Sequence, residues 1–193
     1  MSNTTSFMGF KHIGFLSGAS PDYQLQALTV GSGNATAIYR GDPVVFSSGL
    51  IVAATSTANA VHGIMDGAQY TDSSGNTKWS PFCPASQTAT VYILSAPNSL
   101  FLAQTLLTSI VTANINKNVG FAVGSGTTIG GGFSGYTVDA NTSATTSGLP
   151  FRVVSLASTF LPAGANGTDN TTNNNQIIVS FNNQDFHAGV TGV

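Results

Sequence analysis

The feature that most constrains the fold is a run of short apolar stretches between residues 24 and 65, each ended by a turn signal. QLQALTV, ATAIY, VVFS and LIVAAT are separated by GSGN, RGDP and SG. In QLQALTV residues alternate between two sides, with Leu25, Ala27 and Thr29 on one of them, which is the period of a β-strand. Short strands that recur about every ten residues, with turns between them, are typical of a barrel or a sandwich.

The polar composition argues against helices as the main element. Charged residues make up 6% of the chain, against about 25% in an ordinary soluble domain. Ser, Thr, Asn and Gly take their place, and these residues favour strands and turns. Glu is absent and Lys is scarce, so exposed helix faces lack their usual residues. We therefore expect an all-β protein, a short-stranded β-barrel or β-sandwich with long polar loops and at most one or two short helices.

The clearest strand is TATVYILS, residues 88–95, which places Val91 and Ile93 on one face and Tyr92 and Leu94 on the other. FRVVSLAS and QIIVSFNN have the same apolar character and predict further core strands. The segment SLFLAQTLLTSIVTANI is ambiguous. Its first half suits a strand, and its second half suits a short helix with an apolar stripe at Leu106, Leu107, Ile110 and Val111.

Three regions follow from this pattern. Residues 1–23 are polar with spaced aromatic rings and predict an extended N-terminal arm that lies on a partner. Residues 24–185 form the β-rich domain, either as one unit or as two small lobes divided near 95–118. Residues 186–193 form a C-terminal tail.

No arrangement of residues typical of catalysis is found. The seven acidic residues are all Asp and stand singly in turn contexts such as Gly41-Asp42-Pro43, without the pairing that acid–base chemistry needs. His12, His62 and His187 lack metal-binding spacing. Cys83 has no cationic neighbour and is expected to be a small core residue. The chain is therefore predicted not to be an enzyme.

The net charge also limits the classes of partner that the chain is expected to bind. A net charge of −2 gives no electrostatic footprint for nucleic acid or for an anionic membrane. One cysteine excludes an intrachain disulfide, and the N-terminus lacks a signal-peptide pattern. A surface with so few charges fits a protein largely covered by partners, or else a small secreted protein.

Two local features suggest binding. The tripeptide Arg40-Gly41-Asp42 is a cell-adhesion motif when displayed, but it precedes a proline and is predicted to be a turn that leads into a strand. Trp79 and Tyr70, with Asp66 and Asp72 nearby, have the residue types of a glycan site. The other interpretation is that Trp79 belongs to a rigid aromatic and proline corner packed on the domain.

Five segments in order form a broader pattern: ATAIYRGDPVVFSSGLIVAA, HGIMDGAQYTDSSGNTKWSPFCPAS, VYILSAPNSLFLAQT, FRVVSLAS and NNNQIIVSFNNQDFHAGVTGV. They combine a Gly-Asp-Pro-Val turn, a Gly-x-x-x-Gly-x-x-Tyr segment before an aromatic-Ser-Pro corner, a Pro-Asn-x-Leu-Phe-x-x-Gln segment and an Asn-rich end closing in Thr-Gly-Val. Over residues 24–193 the chain thereby resembles tailed-bacteriophage head decoration (cement) proteins, which are encoded next to the major capsid protein.

The resemblance implies a virion structural protein with no reaction and no cofactor, which binds the outside of the phage capsid and stabilises the shell by bridging capsid subunits. The implied partners are the major capsid protein and further copies of the chain in a homotrimer, with no nucleic acid and no membrane. The protein would be made in the host cytoplasm and reside on the outer surface of the virion. Candidate capsid or trimer contacts lie near the chain ends: Phe7, Phe10, Phe15, Tyr23, Phe186, Val190 and Val193.

Two alternatives remain open. The first is a phage module that binds a glycan or a cell surface through the polar loops. The second is a jelly-roll capsid protein, which would assemble into shells by itself.

Overall fold

The computed structural model describes residues 3–21, 24–55, 60–129, 131–157 and 172–193. Over these residues the chain forms fourteen strands and a single-turn 3₁₀ helix, Thr112–Asn114, which confirms the predicted all-β class. In chain order the strands are β1 (Lys11–Phe15), β2 (Gln26–Val30), β3 (Ile38–Tyr39), β4 (Pro43–Ser47), β5 (Leu50–Ala53), β6 (Gly63–Thr71), β7 (Thr77–Ser80), β8 (Phe82–Cys83), β9 (Ala89–Leu94), β10 (Ser99–Gln104), β11 (Asn118–Ala122), β12 (Thr137–Ala144), β13 (Phe151–Leu156) and β14 (Gln176–Phe181).

Two antiparallel sheets dominate the fold. The first sheet has six strands in the order β1-β10-β14-β13-β11-β12. The second sheet has the order β2-β9-β6-β4-β5, and β7 pairs with the remaining edge of β6. The chain passes from the second sheet to the first between Leu94 and Ser99, whereas β1 joins the first sheet from the N-terminal side. A third, two-stranded sheet pairs β3 with β8.

The main core lies between the first sheet and one side of the second. Phe101, Phe121 and Phe151 of the first sheet are fully buried there, and Ile64 and Leu94 contribute from the second. Along β10 buried residues alternate with half-buried ones, as the period of two in a strand requires. Removing these apolar side chains from water is a main driving force for folding.

A second core is enclosed by the second sheet itself. Its edge strands β2 and β5 approach each other, so the sheet curls around residues such as Val91 and Ile93. Both residues face this core as predicted, while Leu94 faces the main core. Cys83 is buried in the second core, which confirms it as a core residue, and burial raises the pKa of its thiol to about 11.

The structure corrects the prediction of a separate arm at residues 1–23. Lys11–Phe15 form β1, which pairs with β10 through a bulge between His12 and Gly14. Ser6, before this strand, donates its N–H to the side chain of Gln104 at 2.8 Å. The reason for the difference is burial, because two of the aromatic rings in this region belong to the core and draw the backbone onto the first sheet.

The apolar stripe at residues 106–111 does not form the short helix that its spacing suggested. Leu107 has φ of 55°, in the left-handed region that interrupts a helix. The backbone of Ile110 is instead held by the side chain of Asn175, which accepts from its N–H and donates to its carbonyl. Only the 3₁₀ turn at Thr112–Asn114 follows.

Candidate binding surfaces

A first groove, of about 520 Å³, opens beside β1 between the two sheets. Phe10 and Phe101 line it from below and are buried. Phe7 and Phe133 line it as well, but they are 58% and 42% exposed, so their rings stand at its mouth. Volumes of this size are usual for sites that receive a small ligand or a partner's side chains.

An ion pair lies at the polar side of the first groove. The Arg40 guanidinium contacts Asp66 Oδ1 through both Nη2, at 2.7 Å, and Nε, at 2.8 Å. Lys11 and His12 also line the groove. The site therefore combines an apolar floor with a mouth that carries both charge signs, which suits an apolar side chain flanked by polar backbone.

The tripeptide Arg40-Gly41-Asp42 is a corner of the structure, as its turn prediction stated. Gly41 has φ of 92° and accepts the N–H of Phe10 at 3.0 Å, where a Cβ would lie 3.1 Å from that nitrogen. Asp42 is 1% exposed, and its Oδ2 accepts the N–H of Tyr39 at 2.8 Å. Burial raises the pKa of Asp42 to about 7. A receptor cannot reach a carboxylate held in this way, so the motif is not displayed for adhesion.

A second groove, of about 530 Å³, shares no lining residue with the first. Leu16, Ile115 and Val190 are exposed along it, and Phe181 is buried beneath. Three separate parts of the chain thus supply one apolar surface. Arg152 contributes the charged group, and its guanidinium is occupied by the C-terminal segment.

The C-terminal segment is docked on the first sheet. Arg152 Nη2 donates to the carbonyls of Val190 and Thr191 at 3.0 and 2.9 Å, and Asn118 donates to the same Val190 carbonyl. Val193 donates its N–H to the carbonyl of Asn116. The backbone of this segment is therefore fixed, while the side chains of Val190 and Val193 remain exposed.

A buried histidine holds the start of this segment. His62 Nδ1 lies 3.2 Å from Asp185 Oδ2, and Nε2 lies 2.9 Å from Gln26 Oε1. The rings of Phe46 and Phe186 pack edge-on against the imidazole. Burial lowers the pKa of His62, and the hydrogen bond to the carboxylate of Asp185 opposes that effect.

The residues predicted as contacts separate into two groups. Phe10 and Phe15 are buried, and Phe10 stacks on Phe151 with ring centroids 4.4 Å apart. The structure therefore corrects their assignment as protruding anchors of an arm, because both rings are buried in the domain, and Phe10 contributes only to the floor of the first groove. Phe7, Phe186, Val190 and Val193 are exposed. Tyr23 lies outside the described residues.

Sequence reasoning missed several exposed apolar residues on the grooves. Phe133 sits between glycine and serine in a Gly-rich stretch; Ile129, in the preceding turn, is exposed too but lines neither groove. A large apolar residue in such a stretch has few neighbours to cover it, which is a signal that could have identified it. Leu16 and Ile115 carry no such signal, because only the fold brings them together.

Within the described part of the chain, no three His, Cys, Asp or Glu side chains lie together as a metal site requires. No helix among the described residues has the length and hydropathy to cross a membrane. No protein-family model, curated protein or solved structure matches this chain. The described surfaces of the protein offer two apolar grooves.

Proposed function

We propose that this chain is a virion structural protein that binds the outside of a bacteriophage capsid and stabilises the shell by bridging its subunits. The observation that carries the proposal is the presence of two separate apolar grooves, each with exposed apolar side chains at its rim. A protein with two such grooves can engage two neighbouring subunits at once. The resemblance of residues 24–193 to head decoration proteins gives the partner, the major capsid protein.

The physical basis is linkage between binding and assembly. A protein that binds only the assembled shell stabilises it by mass action, because separation of the subunits requires its release. Contacts made in both grooves act together, since the first binding event raises the effective concentration for the second. A homotrimer would multiply this effect across three copies. The sparse charge of the surface reduces the cost of desolvating it in such contacts.

Replacement of Phe7 and Phe133 together by Ala is expected to weaken attachment to shells about a hundredfold or more, since aromatic anchors that become buried in an interface contribute about 2 kcal/mol each. Shells that lack the protein are mixed with the purified wild type or variant and sedimented, and the bound fraction is measured. Shells that carry the wild type should release their DNA at a higher temperature than bare shells. The double variant should lose this protection at equal concentration.

The matched control is Val123→Ala, because Val123 is exposed and lines neither groove. It should attach like the wild type. Unchanged occupancy of the double variant, or absence of the protein from purified particles, would contradict the proposal. Closed shells formed by the purified chain alone would instead support the jelly-roll capsid alternative.

A further inference from the structure

We propose that the outer face of the second sheet is a binding site for an uncharged oligosaccharide, with Trp79 as its stacking platform. The site is built on a row of register partners that crosses four strands. Thr29 pairs with Thr90, Thr90 with Gln69, and Gln69 with Trp79. Partners directly opposite each other in antiparallel strands share a face, so these four side chains form one surface.

The row points away from the protein. Each of three members of the row has a strand neighbour that packs on the second core. These neighbours are Leu28 beside Thr29, Ala68 beside Gln69, and Val91 beside Thr90. Because side chains alternate along a strand, the row lies on the opposite, solvent side. At a strand spacing of ~4.8 Å the row spans about 14 Å, which is the length of a short oligosaccharide.

Trp79 is held in place but left open. Its ring stacks on Tyr92 with centroids 5.2 Å apart and an angle of 20° between the planes. The register partner of Tyr92 on β6 is Gly67, which has no side chain to separate the two rings. The Tyr92 hydroxyl donates to Gln69 Oε1 at 3.2 Å. The indole nevertheless remains 68% exposed, so one aromatic face is available to a ligand.

The chemistry of this surface matches a sugar. A pyranose ring has an apolar face of C–H bonds and an edge of hydroxyls, so it binds where an aromatic ring lies beside amide and hydroxyl groups. Here the indole supplies the face, and Gln69, Thr29 and Thr90 supply donors and acceptors. Since Trp79 is already stacked on Tyr92 before binding, its side chain loses little conformational entropy when a ligand binds.

The absence of charged side chains from the row limits the classes of ligand that it can bind. The row carries no charged side chain, and the charged residues nearest to it in sequence are engaged in ion pairs: Asp66 with Arg40, and Lys78 with Asp72. A nucleic acid would stack its bases here, but its phosphates would find no cation in the row. An apolar protein partner would meet hydroxyl and amide groups around the one ring that is mostly exposed, that of Trp79. An uncharged, polyhydroxylated ligand needs no cation and can hydrogen-bond to the polar groups around the ring, so it fits this surface better than either.

The site differs from the glycan alternative considered on sequence grounds. Tyr70 packs against the second core, and Asp66 and Asp72 form ion pairs, so none of them supports a sugar as that alternative required. The interpretation of Trp79 as a packed corner is wrong, because most of its ring is exposed. Phe82, from the same stretch, does pack, on Tyr39.

The test uses the full chain and the fluorescence of Trp79, its sole tryptophan. Maltohexaose, cellohexaose and N-acetylchitohexaose are each titrated to millimolar concentration. At least one should give a saturable change in Trp79 emission. Ligand-detected NMR then compares variants: Trp79→Ala should weaken binding roughly tenfold or more, and Trp79→Phe should retain part of it.

The control variant is Phe186→Ala, because Phe186 is an exposed ring on the docked C-terminal segment, away from the row. It should bind the sugar like the wild type, and circular dichroism verifies that each variant is folded. Lack of binding to all three sugars, or binding that survives Trp79→Ala, would overturn the proposal. Protection of Trp79 from acrylamide quenching on shells, without sugar binding, would assign the surface to a protein contact instead. Sugar binding by a protein absent from particles would refute only the shell-binding function.

Discussion

Replacing Asp42 with Asn is expected to stabilise the protein at neutral pH and to abolish a fall in stability between about pH 4 and pH 7. Burial raises the pKa of Asp42 from 3.8 to about 7. Across that interval the unfolded carboxyl is ionised while the folded one keeps its proton, so the folded state binds more protons. Stability therefore falls as the pH rises, by roughly 4 kcal/mol in total. Asn is neutral at every pH, and its Oδ1 can still accept the N–H of Tyr39.

The measurement is urea unfolding of both proteins between pH 3.5 and pH 8. The difference between the two curves isolates Asp42, because other groups contribute equally to both. The pKa of His62, for example, is lowered by burial, so its contribution destabilises the fold as the pH falls below 6.5. Parallel curves for the two proteins would show that Asp42 ionises normally and would contradict the prediction.

Asp72 provides a comparison of opposite sign. It is half-buried in the turn before β7, where it accepts the N–H groups of Asn76 and Ser74. These hydrogen bonds, with Lys78, lower its pKa. A lowered pKa stabilises the fold above the unfolded value of 3.8 and loses that contribution as the pH falls. Asp72→Asn should therefore remove a small stabilisation at neutral pH, where Asp42→Asn adds one.

The two aspartates show what sequence can and cannot predict. Both stand in turn contexts, and both turns form as predicted. Asp72 ends half-buried, whereas Asp42 is fully buried next to Gly41, which accepts the N–H of Phe10 in the N-terminal segment. That contact joins parts of the chain thirty positions apart, so no local pattern reports it. The acidity of Asp42 is a property of the fold.

The core strands could be predicted because the alternation of apolar and polar residues along a strand follows directly from which side chains are buried. The alternation in β9 placed Val91 and Ile93 on one face, and the structure agrees. β1 was missed because Lys11–Phe15 has little alternation and contains a bulge. The exposure of Trp79 was missed for a related reason: β7 is an edge strand, and sequence does not tell what covers the outer face of an edge.

Buried amides are the least predictable feature. Asn118, Asn175, Asn182, Gln104 and Gln184 are all buried and tie loops to the sheets. In sequence they resemble the many exposed Asn and Gln around them. They take the structural role that charged residues have in other proteins, since an amide can satisfy buried backbone groups without the desolvation cost of an ion.

Asn175 gives the second large effect: its replacement by Ala is expected to cost about 4 kcal/mol. Oδ1 of Asn175 accepts from the Thr105 hydroxyl at 2.9 Å and from the Ile110 N–H at 3.1 Å, and Nδ2 donates to the Ile110 carbonyl at 2.7 Å. Ala would leave these three buried groups without partners, at about 1–3 kcal/mol each before relaxation. Urea unfolding at neutral pH measures the loss.

Asn173→Ala is the matched control, because Asn173 lies two positions earlier in the same Asn run but is exposed. Its replacement should change the free energy of unfolding by no more than about 0.5 kcal/mol, as surface substitutions do. Equal losses of unfolding free energy in the two variants would mean that the hydrogen bonds of Asn175 have no special role, and would contradict the prediction. A large effect confined to Asn175 would mean that one amide fixes the path of residues 105–110, and with it the end of the first sheet where β10 meets β14.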